Sequence, residues 1–184
     1  MKKKLVFLVA PAIVLSAIVL LAFNKKENPV TKDKSAVAKI TGTKTDTSVN
    51  GTAKFTETKN GTVKLQLTIT IPFMAGRSVA VHIHEHGDCG DAGKNTHGHW
   101  NPTNKKHGKW GSAEYHSGDI GNIMLDAKGK GTFSLETDLW SIGGNILTDV
   151  LGKAIIVHSG VDDYTSQPAG NAGSRIGCGQ IVKK

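Results

Sequence analysis

Seven of the chain's eight histidines fall between positions 82 and 116, and three of them stand at every second residue in VHIHEHGDC, Val81 to Cys89. On an extended strand this spacing turns His82, His84 and His86 to one face. Two imidazoles side by side can reach one ion, and imidazole suits zinc or copper. His97, His99, His107 and His116 follow in the next stretch, and His158 closes a separate apolar run, IIVH. His116 and Asp119 offer a nitrogen and an oxygen, a mixture that four-coordinate zinc accepts. A lone loop histidine is ordinarily a solvated side chain. Five or more around one loop, with an aspartate, point to metal. From these residues alone, a copper enzyme, a zinc enzyme and a metal buffer all stay open.

The elements that must position these rings read as strands. In TVKLQLTITI, Val63, Leu65, Leu67, Ile69 and Ile71 alternate with polar residues, the period of a half-buried strand. AVAKITGT, GTAKFTET, SVAVHIHEH, GNIMLDA, GTFSLET, KAIIVHS and IGCGQIV are further short strands. Asn-Gly at 50–51 and 60–61 and AKGKG at 127–131 carry turn chemistry. Both Asn-Gly pairs also lie in N-G-T glycosylation sequons, but a hairpin turn accounts for them without glycans. No internal repeat and no amphipathic helix stands out. The expectation is an all-β chain, an eight-stranded antiparallel barrel or sandwich. Two long connections, Gly87–Gly118 and Ser159–Ser174, are of the length that usually carries function, and Ser141–Gly152 is a shorter crossover.

The start of the chain is of another kind. MKKK precedes an apolar run, Leu5 to Phe23, broken only by Pro11 and Ser16. Residues 1–26 read as a signal peptide or an N-terminal membrane anchor through residues 5–23, and 27–34 as a linker. Leu20-x-Ala22 is a poor cleavage site, and no cysteine lies near for a lipoprotein anchor. Either way the lysines stay inside and the remainder is exported, to a periplasmic or extracellular location. The formal charge of +8 falls to +3 once the five leader lysines are set aside. With no basic stripe carrying interleaved aromatics, nucleic acid is not an expected partner. Cys89 and Cys178 are the two cysteines. In an exported chain an isolated pair suggests one disulfide rather than two unrelated buried thiols.

Taken in order, HIHEHGDC, GHWNP, KKHGKWG, YHSGDIGN, VHSGVDDY and GNAGSRIGCG resemble copper/zinc superoxide dismutase, over roughly Ser35 to Val182. The resemblance implies a Greek-key barrel in a domain spanning 35–184. It implies that His82, His84, His99 and His158 hold copper, and that His99, His107, His116 and Asp119 hold zinc, with His99 bridging the two as a deprotonated imidazole. Asp162 would hydrogen-bond ligands at both metals from behind. A Cys89–Cys178 disulfide would tie the metal loop to the last strand, and Arg175 would bind the superoxide anion above the copper. The implied reaction converts superoxide to oxygen and hydrogen peroxide as copper cycles between Cu(II) and Cu(I). A homodimer is consistent with the resemblance.

The chain also departs from that pattern. DDYTSQPAGNAGSR lacks the charged insertion of eukaryotic members, which resembles the bacterial periplasmic branch and leaves Lys105, Lys106, Lys109 and Lys153 as the candidates for guiding the substrate. His86 and His97 match no family ligand, and a third metal between them is a minor reading. The competing functions are a non-catalytic relative that buffers or delivers copper and zinc, and an anchored extracellular interaction module with a structural zinc. The first would be expected to lose a copper ligand or Arg175, and this chain keeps them all.

Overall fold

A computed structural model describes residues 34–184; the expected leader, 1–26, and the expected linker as far as Asp33 lie outside the described residues. Alternation builds the strands. In β3 (Val63–Thr70), Val63, Leu65, Leu67 and Ile69 are buried, while Lys64, Gln66 and Thr68 are exposed. The other strands are β1 (Ser35–Gly42), β2 (Asn50–Glu57), β4 (Ser78–His84), β5 (Gly121–Met124), β6 (Lys130–Thr137), β7 (Ala154–His158) and β8 (Arg175–Lys183). Every pairing between them is antiparallel, in the order β5-β4-β7-β8-β1-β2-β3-β6. β3 pairs with β6 and β4 with β7, so the connections β3–β4 and β6–β7 cross between strands that are not hydrogen-bonded neighbours. This is the Greek-key pattern. The edge strands β5 and β6 are joined by a tight turn in which Asp126 Oδ1 accepts from the amides of Lys128 and Lys130, and the sheet curls into a nearly closed barrel.

The barrel is filled by the inward residues of all eight strands, capped by Trp140 from the β6–β7 crossover. Trp140 packs edge-on against Phe55, and its indole N–H donates to the carbonyl of Ser117 at 2.9 Å, tying the crossover to the β4–β5 loop. Asn50–Gly51 is not a turn. It opens β2, opposite Thr70 and Ile69, and the β1–β2 connection runs through 43–49. The Asn60–Gly61 turn is present, with Gly61 at φ +80°. Helix is confined, among the described residues, to the 3-10 turns Pro72–Met74 and Asp91–Thr96, and none is long and apolar enough to cross a membrane.

Two strands break the alternation of burial. β4 is buried from Val79 to His84 and β7 along its whole length. Val79, Val81, Ile83, Ile155 and Val157 face the core. The opposite face carries His82 and His84, and it is covered by the long connections 85–120 and 159–174 rather than by water. On that face Ala154, Ile156 and Cys178 pack with Cys89 in a second small apolar cluster, and Cys89 and Cys178 form a disulfide with Cα atoms 5.8 Å apart. The bridge closes a separation of 89 residues, worth roughly 4–5 kcal/mol on the chain-entropy model. Cys178→Ser is therefore expected to lower stability by about 2–5 kcal/mol in denaturant unfolding under oxidising conditions; an unchanged midpoint would refute that contribution.

Candidate metal centre

The backbone brings the rings together in three moves. The outer face of β4 presents His82 and His84. The β4–β5 loop folds back on the end of that strand, with Ile83 N–H donating to Gly118 O and Trp100 N–H to Ile83 O, so that His99 lies across from His84. At the end of β7, a register shift between Val157 and His158 delivers the third strand histidine. The His82 and His99 ring centroids end 3.9 Å apart. Two sets of potential ligand atoms result, each within 4.8 Å of one another: His82, His84, His99 and His158, then His99, His107, His116 and Asp119. All seven residues are buried. His99 belongs to both sets.

The protonation of each ring follows from its outward hydrogen bond. His84 Nδ1 lies 2.9 Å from His97 O, His116 Nε2 3.0 Å from Lys105 O, and His158 Nδ1 3.3 Å from Gly173 O. A carbonyl only accepts, so those nitrogens carry the hydrogen. Asp162 does the same for two rings, accepting from His82 Nε2 at Oδ2 and from His107 Nε2 at Oδ1, both at 2.9 Å. In the neutral rings the inward nitrogens are then left with lone pairs. His82 Nδ1, His99 Nε2, His107 Nδ1 and His116 Nδ1 are buried with no hydrogen-bond partner. His84 Nε2 and His158 Nε2 face each other at 3.4 Å, two acceptors rather than a bond. An unsatisfied buried polar atom costs about 1–3 kcal/mol. Convergence of several on two points is what a bound cation would satisfy, so the donor sets fit metal.

The sets differ in chemistry. The first is four nitrogens. Burial holds His99 down to about 4 and His158 to about 3, and pushes His84 well below its usual value; neighbouring rings and the Arg175 charge add to this. The second is three nitrogens and a carboxylate. Asp119 Oδ1 lies 2.8 Å from His99 Nδ1, and its oxygens lie 3.0 and 3.2 Å from His107 Nδ1 and His116 Nδ1, off the direction a hydrogen bond needs. Despite its burial, the three surrounding rings hold Asp119 far below the usual carboxylate range. Burial would also lower His107, but Asp119 and Asp162 on either side outweigh it and raise that ring to about 9.

Access separates the sets as well. A cavity of about 520 Å³ is lined by His84, His99, His158 and Arg175, and no other residue of the second set reaches it. The Arg175 guanidinium donates to the carbonyls of Gly93 at 2.6 Å, Lys94 at 3.2 Å and His97 at 2.6 Å, and to Thr96 Oγ1 at 3.2 Å. Those acceptors belong to the segment that Cys89 anchors to Cys178, three residues beyond Arg175. None of Lys105, Lys106, Lys109 and Lys153 lines the cavity; Lys109 lies over the Tyr164 ring and Lys153 over Trp100.

Several supporting residues escaped sequence reasoning. Gln167 clamps the His107 backbone from both sides, accepting from its N–H and donating to its carbonyl at 2.9 Å each. Asn122 does the same for the Asp162 backbone. Gly170, at φ +64°, packs so closely that a Cβ there would overlap Asp162 Oδ1. Only the glycine signalled a close approach; nothing marks an amide side chain as a backbone clamp.

Comparison with known proteins agrees with this geometry. The family model for copper/zinc superoxide dismutase (SODC) matches residues 49–181. Superoxide dismutase [Cu-Zn] 2 of Aquifex aeolicus is 39% identical over 142 residues, covering 74% of this chain and 81% of that one. Superoxide dismutase [Cu-Zn] of Paramecium bursaria Chlorella virus 1 is 34% identical over 177 residues, covering 92% and 90%. Among solved structures, a double mutant of a SOD-like protein from Bacillus subtilis superposes with a TM-score of 0.70 at 29% identity, covering 79% of this chain and 96% of that one. Fold, paired histidine sets and these matches converge on one assignment: the chain belongs to the copper/zinc superoxide dismutase family.

Proposed function

We propose that residues 35–184 form an exported superoxide dismutase, with copper at His82, His84, His99 and His158 and zinc at His99, His107, His116 and Asp119. The observation that carries the assignment is the asymmetry of access: the all-nitrogen set opens on the cavity, whereas the set with the carboxylate is closed, as structural zinc sites are. Bound there, copper supplies the one-electron exchange by which two superoxide ions and two protons become oxygen and hydrogen peroxide, and zinc, which has no redox step, supplies a fixed anchor.

The chain's own residues do the rest. Arg175, charged and held in a fork of carbonyls at the cavity wall, attracts and orients the anion. His99 has both nitrogens turned inward, so it alone can bridge the sets: Nδ1 lies on Asp119, which leaves Nε2 for the other set. There it takes up a proton in one half of the cycle and gives it to the departing peroxide in the other. Asp119 holds Nδ1 of the same ring in place, and Asp162 fixes His82 and His107 in one tautomer each. An exported location is supported by the disulfide, which persists in oxidising compartments. Residues 1–26 are read as the signal or anchor and 27–34 as the linker, and N-terminal sequencing of exported material tests this.

His158→Ala is expected to abolish superoxide consumption and lose copper selectively; activity that survives it would overturn the copper assignment. Arg175→Ala removes charge-assisted hydrogen bonds worth about 1.5–3 kcal/mol, so the rate should fall roughly 10- to 100-fold, with a weaker dependence on ionic strength and copper still bound. Unchanged kinetics would refute the anion role. Acid titration should release zinc before copper. A proton on His107, held up to about 9, competes at the second set, whereas His84 and His158, which belong to the first set alone, resist protonation, His158 to about 3. Metal analysis after dialysis across the acid range reads the order, and copper leaving first would contradict the assignment.

A further inference from the structure

His86 and His97 have no place in either buried set, yet they are not scattered on the surface. Their ring centroids lie 4.7 Å apart at 87°, and together with Glu85 they bring three potential ligand atoms within 4.8 Å of one another. Both histidines are exposed and Glu85 is half-buried. The backbone that carries them is tied down. Glu85 N–H donates to Gly98 O at 3.1 Å and His86 N–H to Thr96 O at 3.2 Å, so the two sides of the cluster belong to one short antiparallel ladder. His97 is held at φ 59°, in the left-handed region. Its amide donates to Lys94 O, and its carbonyl accepts from both His84 Nδ1 and Arg175.

We propose that Glu85, His86 and His97 are a third metal site, for a divalent transition-metal ion such as Zn²⁺ taken from solution, at the rim of the cavity that His97 also lines. Two imidazoles and a carboxylate are a donor set that zinc uses with its fourth position left to water. The site is distinct from the two buried ones: it shares no ligand with them and is open to solvent. It is also connected to them. An ion pulling on the His97 ring would fix the residue whose carbonyl orients the His84 ring and one arm of the Arg175 fork.

The test uses the full chain already loaded with copper and zinc and cleared of loose metal. Titration with Zn²⁺, followed by calorimetry and by metal analysis after gel filtration, should show one additional equivalent per chain. His86→Gln and Glu85→Gln should each weaken that equivalent at least tenfold. His97→Asn, chosen because asparagine tolerates positive φ and keeps the main-chain carbonyl, should do the same, and the His86→Gln/His97→Asn pair should abolish it while leaving the buried copper and zinc bound. A loaded protein that takes up no further Zn²⁺, or a double variant that binds it as the wild type does, overturns the site.

Discussion

The constraint on which the site depends is that every ring except His99 gives its outward N–H to an oxygen that can only accept. Neutral imidazole has two tautomers, and a buried ring free to exchange them would point a hydrogen inward as readily as a lone pair. Three backbone carbonyls and the two oxygens of Asp162 remove that freedom. Asp162 has the widest reach, because one carboxylate sets a ring in each group and so couples the two geometrically. Its own orientation is fixed in turn by the Tyr164 amide, the Asn122 clamp and the close approach of Gly170. The metal centre is thus defined as much by acceptors facing away from it as by the nitrogens facing in.

The barrel makes such a site tolerable. A face of histidines on a strand would ordinarily be solvated. Here β4 and β7 keep apolar residues toward the core and imidazoles toward the loops, so one register serves both. A slip of one residue in β4 would send His82 and His84 into the apolar core and Val81 and Ile83 out, an error that the core would oppose by several kcal/mol. The disulfide then presses the loop's first segment against β8, and the carbonyls of that segment hold Arg175. Covalent tether, loop and guanidinium act in series.

What could be read beforehand divides by range. All eight strands lie where they are expected; β3 announced itself through alternation, because a half-buried strand needs nothing beyond local pattern, whereas β4 and β7 are buried on both faces. The turn at Asn50–Gly51 misled because the dipeptide's turn chemistry is local, while its pairing with Thr70 and Ile69 is decided by β3. The residues that converge on the site could be named by resemblance, but spacing alone could not show how a loop of this length doubles back to set His99 beside His84. Acceptor identity was illegible for a plainer reason: His97 O, Lys105 O and Gly173 O are main-chain atoms, and any residue would supply them.

The two groups also differ in charge, and this bears on how a small anion would choose between them. In the all-nitrogen group His84, His99 and His158 resist protonation, and none of its ligands is anionic. A divalent ion there would keep its full charge and add to that of Arg175 across the same cavity. In the other group Asp119 would cancel one unit, while the Asp162 carboxylate stands behind one ring of each group, His82 and His107. Bound ions are the largest local charges in such a site, so the arrangement of neutral and anionic ligands sets where positive potential emerges. With both ions bound it would emerge more strongly on the open side, beside the fork of carbonyls that holds the guanidinium, because only the closed side has a carboxylate among its ligands. On the proposed function, a preference of the anion for the open group would follow from ligand charge as well as from access, two features built by different parts of the chain: the Asp119 loop and the glycine-rich return to β8.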